Sequence, residues 1–165
     1  MANKLSDIEY MKRSLWLRRN SHDPHRQVAA IIVGRNGNVL SERANEPPDA
    51  LDLSRSESLA AIEDDPTWKY FILEHAERNA IYTAHAAGHV LRGTTMYATL
   101  YPCADCARAI VAAGISRLVI LEPAQNPERD EKWLTHYRFA KKIFELGGVA
   151  VEFVQMREPT NNLLD

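Results

Sequence analysis

His75, Glu77, Cys103 and Cys106 are the residues whose types and spacing could do chemistry together. The cysteines are the only two in the chain and form Pro102-Cys103-Ala104-Asp105-Cys106; the histidine opens His75-Ala76-Glu77. Two thiolates and an imidazole supply three zinc ligands and leave one position of a tetrahedron open. Three protein ligands plus a water is the catalytic pattern, whereas a structural zinc is closed by four. Zinc lowers the pKa of such a water to about 7. Glu77, two positions on, does not share His75's helix face, so it suits the water better than the ion. A carboxylate there can take a proton and pass it to a ring nitrogen and a leaving amine. Hydrolytic deamination of an amidine-type carbon needs that set and no organic cofactor.

Other readings of the same residues explain less. A Cys-x-x-Cys also serves as a thioredoxin-type redox pair, but His75 and Glu77 then have no role. A non-catalytic, zinc-stabilised interaction module would want a fourth Cys or His, and none lies at zinc-finger spacing. Such a scaffold has no use for Glu77. His85 with His89 and His22 with His25 lack cysteine partners and read as solvent-facing. His136 sits on a charged helix with no partner legible in the sequence.

The elements that must position the four residues follow from periodicity and punctuation. Ser6 and Glu9 form a capping box, and Ile8, Met11, Leu15 and Trp16 follow at helical spacing to about Asn20. Pro24 ends that helix. Gln27–Val33 is a short apolar run that reads as a buried strand, and Arg35-Asn36-Gly37-Asn38 turns it into a return strand reaching about Asn45. Residues 46–66 read as a long functional connection, with room for a helical turn at Leu59–Glu63. Trp68, Tyr70, Phe71 and Ile72 read as core packing at the start of the next helix. That helix runs from Ala76 until Gly88 stops it. Thr94–Leu100 alternates as a central strand leading into Tyr101-Pro102, and Cys103–Ala113 is a helix stopped by Gly114. Arg117–Leu121 is a strand. Glu131–Leu146 is a helix with Trp133, Tyr137, Ala140 and Phe144 on one stripe, closed by Gly147-Gly148, and Val149, Val151 and Phe153 alternate as a last strand. Strands alternating with helices predict an α/β fold: a three-layer α/β/α sandwich around a five-stranded mixed sheet, with residues 1–165 as a single domain.

Composition narrows the partners. The chain has 165 residues, 45% hydrophobic and 25% charged, with a net charge of −2. It lacks the basic excess of a nucleic-acid binder, and Lys12, Arg13, Arg18 and Arg19 read as the solvated face of a helix. No apolar run approaches the roughly 20 residues of a membrane span, and the N-terminus carries no signal-peptide pattern. Two cysteines without an export signal point to a reducing, cytoplasmic setting.

The stretches HAERNAI (75–81) and TLYPCADCARAIVAAGI (99–115) resemble the cytidine and deoxycytidylate deaminase superfamily, and most closely its dCMP deaminase branch. Ser21-His22-Asp23-Pro24 with Gln27–Val33 is similar to that branch's SKDP…QVGAVIV segment. The resemblance spans roughly residues 5–154 and implies the cytidine deaminase-like fold, a homo-oligomer and deamination of an amino-pyrimidine nucleotide such as dCMP. It implies that His75, Cys103 and Cys106 bind Zn2+, that Glu77 shuttles protons, that Asn45 contacts the substrate sugar and that the Ala76 N–H faces the ring. The chain departs from the branch at Ala29, Ala44 and Glu46. Glu46 adds negative charge near the expected sugar-phosphate end, and Arg43 or Arg55 would have to offset it. Deamination of a free base, a nucleoside or another aminated heterocycle is the alternative that this altered loop motivates.

Overall fold

The computed structural model describes residues 5–122 and 131–156. Ala29–Val33 (β1) is buried at every position, as its unbroken run of small and branched side chains requires. Its side chains alternate between two cores: Ala30 and Ile32 enter one, Ala29, Ile31 and Val33 the other. Gly37, at φ 87°, lets the chain turn back into Val39–Ala44 (β2), and the Tyr10 hydroxyl donates to the Gly37 carbonyl at 2.7 Å. Thr95–Ala98 (β3) pairs antiparallel with β1, followed by Arg117–Leu121 (β4) and Ala150–Val154 (β5), each parallel to its neighbour. The sheet order β2-β1-β3-β4-β5 is mixed, as predicted.

Helix Asp7–Leu17 (α1) covers one face through Tyr10, Met11 and Leu17. Helices Ala76–Ala86 (α4), Ala104–Ala112 (α5) and Leu134–Gly147 (α6) cover the other. A helix, Arg55–Asp64 (α2), opened by a Ser54–Glu57 capping box, occupies the connection expected to be mostly loop, and a single turn, Lys69–Ile72 (α3), follows it. Among the described residues no helix is long and apolar enough to cross a membrane.

Three local expectations are corrected. The buried stripe of α1 is Tyr10, Met11, Ser14 and Leu17, leaving Ile8 and Trp16 exposed, because Tyr10 must reach Gly37 and pack against the Tyr97 ring. Tyr70 and Phe71 are 61% and 82% exposed and form no core, because α3 is too short to bury a face. His22 is buried, its Nδ1 2.7 Å from the Ser58 hydroxyl of α2, a partner that no spacing rule could supply.

Candidate active site

Helices α4 and α5 present their N-terminal ends to one another. His75 is the N-cap of α4 and Cys103 the N-cap of α5, so each opens its helix with extended backbone. Ala76, Ala80, Ala84 and Ala107 are buried in the same core, and their small side chains let the two helices approach closely. β3 ends three residues before Tyr101 and delivers the chain to Pro102 and Cys103.

The resulting triad is tight. His75 Nδ1 lies 3.5 Å from Cys103 Sγ and 3.5 Å from Cys106 Sγ, and the three ligand atoms fall within 4.8 Å of one another. With Zn–S near 2.3 Å and Zn–N near 2.0–2.1 Å, a tetrahedral ion holds nitrogen and sulfur about 3.5 Å apart. The donor set and its spacing therefore fit zinc. Glu77 stands outside that group yet lines the same cavity of about 360 Å³, and only 4% of its surface is exposed.

The electrostatics follow from burial and from the helix ends. Cys103 is held low, at about 4, first by the Cys106 thiol hydrogen bond, against burial, and further by His75 and the Cys106 N–H. Cys106 is pushed up by the same shared proton and by burial. Burial pushes the Glu77 carboxyl upward, opposed by His75. Arg78 brings positive charge to both sulfurs while its Nε donates to Glu74 at 2.7 Å, and Glu74 also accepts the His75 N–H at 2.9 Å. Ala76 occupies the first position of α4, where the N–H has no partner inside the helix, and it lines the cavity.

Residues 5–122 match the family described as the cytidine and deoxycytidylate deaminase zinc-binding region. The chain belongs to that family. A probable deoxycytidylate deaminase of Drosophila melanogaster is 31% identical over 150 residues, covering 87% of this chain and 69% of the relative. The deoxycytidylate deaminase of Mus musculus is 27% identical over 158 residues, covering 88% and 84%. The crystal structure of a dCMP deaminase from the cyanophage S-TIM5 in apo form superposes with a TM-score of 0.65 at 21% identity, covering 90% of this chain and 96% of that one, which shows the shared fold.

The cavity gathers His75, Ala76, Glu77, Cys103 and Asn45, while Cys106 lies behind it in the triad. Asn45 is heavily engaged: its Oδ1 accepts from the Ser21 hydroxyl and the Val28 N–H, and its Nδ2 donates to the Arg26 carbonyl at 2.8 Å. Glu46 is not brought in. It ion-pairs with Arg43 at 3.0 Å and joins Glu74 through a backbone bridge, so Arg43 supplies the offset and Arg55 turns to the Ser21 carbonyl.

Several residues in the cavity wall or bracing it were not legible as such. Trp133 reads in sequence as one of a core stripe, but it packs edge-on to His75 with ring centroids 6.5 Å apart. His136 gains a partner, accepting the Ala104 N–H at 3.3 Å and thereby bracing the start of α5. Arg26, Lys69 and Tyr137 reach the cavity from segments with no chemical motif. Lys69 is anchored there by Asp23 at 2.9 Å.

Proposed function

We propose that the chain is a zinc-dependent hydrolytic deaminase that converts an amino-pyrimidine nucleotide, dCMP or a close analogue, to its oxo form and ammonia. The carrying observation is the His75–Cys103–Cys106 triad with a buried carboxyl, Glu77, in the same cavity but outside the ligand set. His75, Cys103 and Cys106 would hold the ion, which when bound supplies Lewis acidity and a water of lowered pKa. The deoxycytidylate deaminases among its relatives support the nucleotide as substrate.

Glu77 does the proton work. Its carboxylate accepts a proton from the attacking water as the C–O bond forms, and gives it to the ring nitrogen beside the reacting carbon. It then moves the second water proton to the amine, the C–N bond breaks, and ammonia leaves with the electron pair. Burial favours the protonated carboxyl, which helps Glu77 hold a proton between the two transfers. The Ala76 N–H at the head of α4 orients the ring, and Asn45, on the cavity wall and held by Val28 and Arg26, contacts the substrate sugar. Around this chemistry the enzyme acts as one domain over residues 1–165, self-associates and works in a cytoplasmic, reducing setting that keeps both thiols available.

Ammonia release from dCMP, deoxycytidine, cytosine, adenine and guanine tests the substrate. The expected outcome is turnover of dCMP well above the others. Inert dCMP beside an active base or nucleoside would overturn it.

A further inference from the structure

We propose that Arg26 is the phosphate-recognising residue of the cavity, the side chain that selects a nucleotide over the corresponding nucleoside. The proposal rests on the reading of this site as a nucleotide deaminase and assigns the determinant of that preference.

Four Lys and Arg side chains line the cavity, Arg26, Lys69, Arg78 and the exposed Lys132, and they are unequal in how they are held. Lys69 is clamped on Asp23, its Nζ donating to both carboxylate oxygens at 3.1 and 2.9 Å. Arg78 is held by Glu74. Arg26 is half-buried in the cavity wall, and among the described residues no carboxylate pairs with it. Its contacts are neutral: one amino group donates to the Tyr137 hydroxyl at 2.8 Å, and the guanidinium lies over the Trp133 ring at 4.9 Å. Those contacts orient the guanidinium and leave its charge unneutralised. A guanidinium offers five N–H donors in a planar fork that matches phosphate, and Tyr137 takes only one.

The main chain beneath is fixed as well. The Arg26 carbonyl accepts from Asn45 Nδ2 at 2.8 Å, and its N–H donates to Asp23 Oδ1 at 3.2 Å. The fork is therefore set before a ligand arrives, which reduces the ordering that binding must impose. Trp133 connects the two functions: Arg26 lies over its ring and His75 meets it edge-on at 6.5 Å. A nucleoside monophosphate, with base and phosphate at opposite ends of one sugar, can place its ring at the triad and its anion on the fork.

The test compares dUMP with deoxyuridine, which differ only in the phosphate, by titration calorimetry on the zinc-loaded full chain. The wild type should bind dUMP more tightly than deoxyuridine. Arg26→Gln should narrow that ratio on the order of 10- to 100-fold, the usual weight of a charged hydrogen bond. Arg26→Lys keeps the charge without the fork and should narrow it less; it carries the test if the glutamine variant does not fold. An unchanged ratio in the folded variants, or a wild type that does not prefer dUMP, overturns the proposal. The nucleotide deaminase reading fails separately, if wild type releases no ammonia from dCMP while the Arg26-dependent preference for dUMP stands.

Discussion

The proposed function gives Glu77 and Cys106 different jobs, and single substitutions separate them. Glu77→Gln removes the proton acceptor and leaves the three ligands, so zinc content should stay at one per chain while turnover falls about 10²- to 10⁴-fold. Cys106→Ala removes a proposed ligand that is fully buried, so metal content and activity should fall together. Metal analysis beside an ammonia assay distinguishes the two. The site was legible in the sequence where chemistry demanded rare residues at close spacing: two cysteines, one His and one Glu near helix starts. Arg26, Trp133 and His136 were not, because their roles depend on contacts between segments that periodicity cannot join. Arg26 and Tyr137 stand far apart in the chain, yet their side chains meet at 2.8 Å.

At the scale of elements, helix packing positions the triad. Gly147 closes α6 against α5, where an added Cβ would come within 2.6 Å of Val111. Gly147→Ala should lower stability by about 1–3 kcal/mol through overpacking, and Val111→Ala should restore part of it; urea unfolding of the single and double variants measures both. His22 ties the segment ahead of β1 to α2 through Ser58. Burial, then Arg55 and Arg43, hold its pKa below the ordinary histidine value. The unfolded chain therefore binds more protons there, and the stabilisation present above about pH 6.5 is lost as pH falls toward the folded value. As pH falls below about 6.5, wild type should lose more unfolding free energy than His22→Gln, which lacks this contribution. An equal slope in the variant would contradict this assignment.

On the scale of the whole molecule, the order of strands and helices was legible because one element type follows another with clear stops, such as Gly88 and Gly114. The buried face of α1 and the helix within residues 46–66 were less so. α1 takes its register from Tyr10 reaching across to Gly37, and α2 is mostly polar, with only Ser58 and Ile62 buried. Zinc should bind the folded chain in preference to the unfolded one, so chelation should lower the melting temperature, and added zinc should restore it, the rise growing with the logarithm of free zinc above the dissociation constant. The account also expects self-association, and light scattering should give a mass that is a multiple of 18.7 kDa. A monomer would contradict that part alone.

The central claim is that the triad and Glu77 together form a deaminase site. Its most direct test is ammonia release from dCMP by zinc-loaded wild type and Glu77→Gln, with zinc measured on both samples. The predicted result is one zinc per chain in each, turnover by the wild type and its near loss in the variant. Full activity in Glu77→Gln, or no activity of zinc-loaded wild type on dCMP or any other aminated ring, would contradict it.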